Sequence, residues 1–295
     1  MPICVSRLML WQLCQQLKKL QLKVKAKSTH PRIHSQIDNL ELAVFLSDLA
    51  AVSRPIISQW FRSRPNIEIK ADASPVTIAD RNVELAFREA IASRFQGDDI
   101  LGEEHDVTRG DGSTNYQWVI DPIDGTKAFV SGKPTFGSIV GLLDSGRPIA
   151  GFCDMPMLDE LYLGIGEAAW LNGVPISAST SNDLATARLA TTSPEAFSAD
   201  GLAVFNRISA QAGITNYGGD CHNYALLAAG HIDLVIEDSL APHDIMGIVP
   251  IMQAAGACVT DLRGNPVRYP QTKSLLCAAT PELHAAVLAI IRHSF

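Results

Sequence analysis

Two aspartates lie three positions apart in the segment VIDPIDGTKAF, residues 119–129. Pro122 fixes the backbone between Asp121 and Asp124, and Gly125 lets the chain change direction directly after them. One interpretation is a type I turn, in which Asp and Pro are both common. The other is that the two carboxylates converge on one point where an apolar strand stops, and there they could bind a cation.

Further oxygen ligands occur at other junctions of the chain. Glu103 and Glu104 follow the apolar pair Ile100-Leu101, Thr126 supplies a hydroxyl next to the aspartates, and Asp244 follows Pro242-His243. Clustered carboxylates repel one another unless a cation neutralises them, and hard divalent ions such as Mg²⁺ prefer oxygen ligands. Because Mg²⁺ usually keeps water and substrate phosphate in its coordination shell, this pattern indicates phosphate-ester chemistry.

The order of these motifs resembles the inositol monophosphatase superfamily of magnesium-dependent, lithium-sensitive phosphatases. The resemblance rests on Gly102-Glu103-Glu104, on WVIDPIDGT at residues 118–126, and on His243-Asp244 with Ala255-Gly256 downstream. It extends from about residue 38 to the C-terminus. It implies an α/β (α+β layered) fold, an alternating αβαβα sandwich, and the activity of a phosphomonoester hydrolase.

The resemblance also implies a set of metal ligands, which consists of one main-chain carbonyl and four carboxylates: Ile123, Glu103, Asp121, Asp124 and Asp244. Glu103, Asp121 and the Ile123 carbonyl would bind a first Mg²⁺. Asp121, Asp124 and Asp244 would bind a second. A third, weaker ion would involve Glu103 and, through water, Asp80. Two such ions about 3.5–4 Å apart can activate a water molecule and stabilise the leaving oxygen of an in-line displacement.

The resemblance assigns the attacking water to Glu103 and Thr126, with the Thr126 hydroxyl paired to Asp80. Metal binding lowers the pKa of water from 15.7 to roughly 7, so no strong protein base is required. The backbone amides around Gly125 and Thr126 could bind phosphate oxygens. This local arrangement would let an acidic protein bind an anion.

The remaining polar residues near these motifs have two interpretations each. His105, His222 and His243 could have a catalytic role or could be surface or structural histidines. The second interpretation is favoured, because hydrolysis of this kind needs no imidazole. Lys127 and Lys133 could contact the substrate phosphate or could be solvated surface lysines.

Within the superfamily, three segments resemble histidinol-phosphate phosphatases: residues 70–80, residues 125–136, and Gly219-Asp220-Cys221. Histidinol phosphate carries an ammonium, so Asp220 and Glu237 are predicted to bind the organic part of the substrate. Asp220 could instead be a helix N-cap, a position that Asp favours. Glu237 could equally accept hydroxyl groups of an inositol.

Three functions follow from these alternatives. The first is a histidinol-phosphate phosphatase. The second is a phosphatase for inositol monophosphate, phosphoadenosine phosphate or fructose bisphosphate. The third is a metal-binding protein without catalysis, which the presence of all the ligand carboxylates together with Thr126 disfavours.

Composition limits the partners. The net charge of −7, from 24 basic and 31 acidic residues, disfavours nucleic acid or an anionic membrane as a partner. The six cysteines form no C-x-x-C pair, which favours a reducing compartment such as the cytoplasm. No run of apolar residues approaches the roughly 18 that a membrane-spanning helix needs. The predicted partners are a small-molecule phosphate ester and, as is common among family members, a second copy of the chain in a homodimer.

The N-terminal 37 residues differ from the rest. They contain no Asp or Glu but seven Lys or Arg, and they could be an organelle transit segment or the product of an upstream start codon. We predict a basic lead over residues 1–37 and a single phosphatase domain over residues 38–295, with the metal site between the two halves of that domain.

Periodicity predicts the elements that would position the site. Helices are expected over 42–60, with a kink at Pro55, and after Asp80. Strands are expected at 116–120, 136–143, 149–153 and 161–164, with a hairpin turn at Asn172-Gly173. Farther on, strands at 188–192, 232–236, 257–261 and 274–279 alternate with helices at 201–212, 221–229, 244–255 and 281–292. Thr280 is expected to cap the last helix, with Pro281 in its first turn.

Overall fold

A computed structural model describes residue 34 and residues 37–63, 68–69 and 75–292. Most of the predicted basic lead and Lys70 lie outside the described residues. The α-helices in the described ranges are α1 (Asn39–Trp60), α2 (Ile78–Arg94), α3 (Thr126–Val130), α4 (Ala199–Ser209), α5 (Cys221–Ala228), α6 (Pro242–Ile245), α7 (Val249–Ala254) and α8 (Pro281–Arg292). None of these helices combines the length and the apolar character that crossing a bilayer requires.

The strands of the described residues form three sheets. They are β1 (Glu68–Ile69), β2 (Pro75–Val76), β3 (Asp99–Gly102), β4 (Tyr116–Asp124), β5 (Gly137–Asp144), β6 (Arg147–Met155), β7 (Glu160–Ile165), β8 (Ala168–Leu171), β9 (Val174–Pro175), β10 (Arg188–Thr191), β11 (Ile214–Tyr217), β12 (Leu234–Glu237), β13 (Cys258–Thr260) and β14 (Leu275–Ala278). The large sheet has the order β3-β4-β5-β6-β7-β8-β9, the second has the order β11-β10-β12-β14-β13, and β1 pairs with β2. In the large sheet only β3 and β4 are parallel.

Three hydrophobic clusters show how these elements are layered. The first joins α1 and α2 to one face of the large sheet. The second joins the other face of that sheet, through α5 and α7, to the five-stranded sheet. The third joins the remaining face of the five-stranded sheet to α4 and α8. The order of layers is therefore αβαβα, which confirms the predicted fold class.

Strand β4 shows why a layered core follows from the sequence. Successive side chains of a strand point to opposite faces. Trp118 and Ile120 accordingly lie in the first cluster, whereas Val119 lies in the second. Because both faces of the large sheet are covered by helices, β4 reads as a continuous apolar run rather than as an alternating pattern.

Most predicted elements are present, and the exceptions have local causes. The hairpin turn at Asn172-Gly173 is confirmed, with φ angles of 48° and 76° that fit a tight I′ turn. Thr280 caps α8, since its Oγ1 accepts the Leu283 N–H at 3.2 Å. The helix predicted over 244–255 is instead two helices, because Pro250 cannot donate a backbone hydrogen bond and lies in the first turn of α7, which begins at Val249.

The predicted start of α2 is also wrong. The helix begins before Asp80, because Thr77 is its N-cap and accepts the Ala79 N–H at 3.1 Å. The short strands β3, β8, β9 and β11 and the five-residue helix α3 escaped the sequence analysis, since so few residues carry no readable period.

Two residues of the predicted basic lead are packed against the domain. His34 and Ile37 form an antiparallel bridge and are both buried. His34 stacks on Tyr116 with 4.1 Å between ring centroids, and its Nε2 lies 3.1 Å from Asp98 Oδ2. The packed part of the chain therefore reaches back to His34.

Candidate active site

The two aspartates of the opening motif lie on a bulge of strand β4. The strand does not stop at Ile120, because Asp121 pairs with Ile139 and Asp124 with Gly137, which leaves two residues opposite Ser138 alone. Ser138 Oγ donates to the Pro122 carbonyl at 2.6 Å and closes the bulge. The type I turn interpretation is therefore wrong.

The bulge changes the directions of the side chains. On a regular strand, two residues three positions apart point to opposite faces of the sheet. The extra residue of the bulge shifts the alternation by one, so Asp121 and Asp124 point to the same face. Carboxylate oxygens of Asp121, Asp124 and Asp244 consequently lie within 4.8 Å of one another. Ligand atoms of Glu103, Asp121 and His243 form a second such group. The structure thus brings together the four carboxylates that the sequence analysis selected.

Backbone N–H groups from three different elements fix three of these carboxylates, those of Asp121, Asp124 and Asp244. Asp121 Oδ1 accepts from Ile123 N at 3.1 Å, within β4. Asp124 Oδ2 accepts from Cys221 N at 2.6 Å, at the start of α5. Asp244 Oδ2 accepts from Ala241 N at 2.7 Å, at the start of α6. Each of these bonds fixes one oxygen, so the second oxygen of the same carboxylate can bind a ligand.

The electrostatics of this carboxylate cluster (Asp80, Glu103, Asp121, Asp124 and Asp244) favour a bound cation. Burial raises the pKa of Asp121 well above its ordinary value, and the charges of Glu103, Asp124 and Asp244 raise it further. Burial followed by the charges of Asp220 and Asp244 does the same to the pKa of Asp124. The neighbours that dominate are other carboxylates, so a divalent cation would relieve both the repulsion and the desolvation.

Asp80 adds a buried oxygen to this arrangement. Its side chain is 1% exposed, and among the described residues its Oδ1 has no hydrogen-bond partner. Burial raises its pKa, and so does the nearby charge of Glu103. An unpartnered buried carboxylate oxygen is costly in a folded protein. A set of hard oxygen donors with one such atom fits Mg²⁺.

The predicted hydrogen bond between Thr126 and Asp80 is not formed. Asp80 Oδ2 instead accepts from Thr77 N at 2.8 Å and from Thr77 Oγ1 at 2.6 Å, since Asp80 closes the first turn of α2. Thr126 Oγ1 donates to the Ile123 carbonyl at 3.1 Å. The hydroxyl of Thr126 therefore keeps its lone pairs as acceptors.

Because Gly125 has no side chain, the carboxylate of Asp220 can lie beside the cluster. It lies in the left-handed region with a φ of 84°, and a Cβ there would lie 2.9 Å from Asp220 Cγ. Gly125 also precedes α3, whose first N–H groups have no acceptor within the helix. Asp220 therefore lies beside the residue that precedes these N–H groups.

Asp220 occupies the N-cap position of α5 but makes no capping hydrogen bond with its side chain. Its backbone has a φ of 48°. Burial raises the pKa of Asp220 to about 6, while Lys127 and Lys133 nearby oppose that rise. The N-cap alternative is therefore wrong for the side chain of this residue.

Glu237 ends strand β12, and the structure buries it. Its Oε1 accepts from Thr192 N at 2.8 Å and from Thr192 Oγ1 at 2.7 Å. Burial raises its pKa to about 7, and the charge of Asp220 contributes to that rise. The two residues predicted to bind the organic part of a substrate are thus electrostatically coupled neighbours.

The sequence analysis missed Glu84, which holds the loop that carries Glu103. Glu84 Oε2 accepts from Glu104 N at 2.7 Å, and Oε1 accepts from Arg88 Nε at 2.7 Å. A Cβ at Gly102 would lie 2.0 Å from Glu84 Oε1, so only glycine fits there. The sequence could have indicated Glu84, because it lies four residues after Asp80, and residues four apart lie on one side of a helix.

The model of the inositol monophosphatase family matches residues 38–294. The chain is 37% identical over 270 residues to the bifunctional phosphatase IMPL2, chloroplastic, of Arabidopsis thaliana, which covers 89% of this chain and 78% of that protein. It is 31% identical over 230 residues to a histidinol-phosphatase of Chlorobaculum parvum, covering 77% of this chain and 87% of that protein. A solved structure of an inositol monophosphatase from Zymomonas mobilis has a TM-score of 0.76 and 35% identity, and the match covers 84% of this chain and 96% of that one.

Proposed function

This chain belongs to the inositol monophosphatase family of phosphatases, and from that premise we propose that it is a Mg²⁺-dependent histidinol-phosphate phosphatase. The reaction would be the hydrolysis of L-histidinol phosphate to L-histidinol and phosphate. The observation that supports this substrate most directly is the carboxylate of Asp220, which lies against Gly125 and is not used as a helix cap.

The carboxylate cluster would hold the metal ions. Glu103, Asp121 and the Ile123 carbonyl would bind one Mg²⁺, and Asp121, Asp124 and Asp244 would bind a second. Asp80, whose Oδ1 has no partner among the described residues, would contribute to a third position. When bound, such ions neutralise charge on the phosphoryl group and promote ionisation of water. As the family resemblance implies, Li⁺ is expected to inhibit by competing at one position.

The chain's own residues would position the water and the phosphate. Glu103 offers a carboxylate that can accept a proton of the attacking water. Thr126 Oγ1 donates to the Ile123 carbonyl, so its lone pairs would orient the water by accepting a hydrogen bond from the other hydrogen of that water. The N–H groups at Gly125 and Thr126 would bind phosphate oxygens as the bond to the leaving group breaks.

Asp220 and Glu237 would bind the ammonium of histidinol phosphate. Both carboxyls have raised pKa values, of about 6 and about 7. A nearby ammonium favours the ionised form of each group, since opposite charges lower the pKa of a carboxyl. A charge-assisted hydrogen bond is roughly twice as strong as a neutral one, so an amine would be preferred to a hydroxyl at this position.

An inositol phosphate is the second candidate substrate. The Zymomonas mobilis structure, at 35% identity, is that of an inositol monophosphatase, and Glu237 can also accept hydroxyl hydrogens. Phosphate release from L-histidinol phosphate, inositol 1-phosphate, phosphoadenosine phosphate and fructose bisphosphate in excess Mg²⁺ separates these candidates. We expect L-histidinol phosphate to give the highest kcat/KM. A preference for inositol 1-phosphate would replace the proposal with the second candidate.

Two variants sharpen that experiment. Asp220→Asn and Glu237→Gln should raise the KM for L-histidinol phosphate, because each removes a charge that would face the ammonium. Hydrolysis of an aryl phosphate, which lacks the amine, serves as the control and should change little. Equal losses on both substrates would contradict the assignment of these residues to the ammonium.

The homodimer and the cytoplasmic location remain predictions. Light scattering after gel filtration would measure the mass in solution, with twice the chain mass expected.

The Arabidopsis relative is chloroplastic, and a transit role for the basic lead would be tested by fusing residues 1–37 to a fluorescent protein.

A further inference from the structure

A histidine that was predicted to be a surface or structural residue lies at one end of the carboxylate cluster. A ring nitrogen of His243 is within 4.8 Å of carboxylate oxygens of both Glu103 and Asp121, which are themselves that close to each other. His243 Nε2 also lies 3.5 Å from Asp244 Oδ1. The imidazole is partly buried, with 23% of its side chain exposed.

The local structure explains why both His243 and Asp244 reach the cluster. Helix α6 is a single turn that begins at Pro242. Asp244 Oδ2 is fixed by Ala241 N at 2.7 Å, and Oδ1 is left on the side of His243. Two ligands of one ion, each about 2.0–2.2 Å from it, can be at most about 4.4 Å apart. Small side-chain rotations therefore suffice to place the three ligand atoms of Glu103, Asp121 and His243 on one cation.

A second observation marks the same end of the cluster as a place for a cation. Asp80 is 1% exposed, and its Oδ1 has no hydrogen-bond partner in the described part of the chain. The charge of Glu103 acts on Asp80, and the charge of Asp80 acts on Asp121, so Asp80 belongs to this end of the cluster. A buried carboxylate oxygen of this kind is compensated when a cation lies beside it.

We propose that His243 is a nitrogen ligand of the metal position formed by Glu103 and Asp121, so that the two metal positions of this protein differ in the ions they prefer. This inference rests on the metal site of the proposed function. Imidazole suits ions such as Co²⁺, Ni²⁺ and Zn²⁺, whereas carboxylates, carbonyls and water suit Mg²⁺ and Mn²⁺. The position of Asp121, Asp124 and Asp244 offers oxygen alone among these side chains. The position with His243 therefore binds Co²⁺ more tightly, relative to Mg²⁺, than the all-carboxylate position does.

The direct test is pulsed electron paramagnetic resonance on the full chain loaded with Mn²⁺, which detects ¹⁴N coupling from a bound imidazole. The wild-type protein should show this coupling, and His243→Phe should lose it. His231→Gln, which removes an exposed imidazole elsewhere, is the matched control and should keep it. His105→Gln removes the imidazole two residues from Glu103 and should keep it too. Absence of coupling in the wild type, or its persistence in His243→Phe, would overturn the inference.

Calorimetric titration gives an independent measure. Loss of the nitrogen ligand should weaken Co²⁺ binding at one position by about tenfold or more, and Mg²⁺ binding by no more than about threefold. Equal losses for the two ions would show that His243 only supports the loop, and would overturn the inference. If His243→Phe does not fold by circular dichroism, His243→Gln replaces it, since an amide gives no imidazole coupling.

These results are separable from the proposed function. Nitrogen coupling in a protein that releases no phosphate from any substrate in the panel would refute the function and leave the metal ligand standing. Phosphate release without nitrogen coupling would refute the metal ligand and leave the proposed function standing.

Discussion

Strand β4 contributes to two clusters that are each built around buried carboxylates: Trp118 lies in the first cluster, and Asp121, three residues later, lies in the second. In the first, the Asp98 cluster (His34, Asp98, Thr114 and Trp118), Asp98 Oδ2 accepts from Trp118 Nε1 at 2.9 Å and Oδ1 accepts from Thr114 Oγ1 at 2.7 Å. His34 Nε2 completes it at 3.1 Å from Oδ2. In the carboxylate cluster, Asp121 is as buried as Asp98, at 2% exposure each, yet the charges that act on it most strongly are those of other carboxylates.

The difference shows how a buried carboxylate can be assigned a role. Donors supplied by the protein compensate Asp98, so this residue needs nothing from outside the fold. Asp121 accepts one backbone hydrogen bond and is repelled by the neighbouring carboxylates, so its buried negative charge needs a cation to compensate it. Burial alone does not separate a structural carboxylate from a functional one, whereas the identity of the neighbours does.

Asp121→Asn should give the largest effect. The amide removes the charge shared by both proposed metal positions, so phosphate release should fall at least about 10³-fold. The metal-free protein should remain folded, because a repelled buried carboxylate has been neutralised. Asp98→Asn is the control: it should lower the free energy of unfolding by about 1–3 kcal/mol and leave kcat unchanged. Turnover near the wild-type rate in Asp121→Asn would contradict the site assignment.

Thr126→Ala tests a hydroxyl in the carboxylate cluster, and Thr114→Ala tests one in the Asp98 cluster. Loss of an aligned hydrogen bond in the transition state costs roughly 10²–10³ in rate, so Thr126→Ala should lower kcat by that factor. Its Mg²⁺ dissociation constant should change by no more than about threefold. Thr114→Ala should lower stability by about 1 kcal/mol with an unchanged kcat. Weakened Mg²⁺ binding with normal turnover in Thr126→Ala would reverse the assigned role.

The stability of the metal-free protein should depend on pH because of the carboxyls near the proposed substrate site. The folded-state pKa of Glu237 is raised to about 7, above its value in the unfolded chain. The folded state therefore binds the proton more tightly, and stability present below about pH 4.5 is lost as the pH rises through about 7. The part of this loss that Glu237 causes should be up to roughly 3 kcal/mol, and Glu237→Gln should remove that part while the other raised carboxyls, such as Asp220, keep theirs. Urea unfolding between pH 4 and pH 8 measures this slope, and a flat profile in the wild type would refute the prediction.

Glu84→Gln should have a smaller effect on the carboxylate cluster. The amide weakens the bonds to Glu104 N and Arg88 that hold the loop of Glu103. Loss of such a supporting contact typically costs 10–100-fold in metal affinity, and we expect about tenfold weaker Mg²⁺ binding. Glu89→Gln, on the exposed side of the same helix, is the matched control. If the two variants bind Mg²⁺ equally well, Glu84 does not position the loop.

Truncation tests the Asp98 cluster with the smallest expected effect. A chain that begins at Gln36 lacks His34, whereas a chain that begins at Pro31 keeps it. Both should hydrolyse the substrate, since His34 lies outside the proposed site. The shorter chain should be less stable by about 1–2 kcal/mol, because Asp98 loses one hydrogen-bond partner. Equal stability of the two would show that His34 contributes nothing, and loss of turnover in a folded short chain would place the lead within the catalytic domain.

The sequence by itself, through its motifs and their resemblance to a known family, predicted the carboxylate cluster and the αβαβα layering. Glu103, Asp121, Asp124 and Asp244 could be selected because carboxylates recur at junctions of the chain and because their motifs resemble a known family, and the structure places all four in one cluster. The order of strands and helices was readable because each period depends only on neighbouring residues. Local chemistry was sufficient for these conclusions.

Tertiary structure decided the directions of the side chains. A bulge closed by Ser138 turns Asp124 toward Asp121, and no period in the sequence announces it. The partner of Thr126 and the loss of the cap at Asp220 depend on contacts between residues in different elements. His243 joins the cluster for the same reason. Sequence periodicity fixes which face of one element a residue occupies. The distance between side chains of separate elements depends on how those elements pack, and this packing is a property of the folded chain alone.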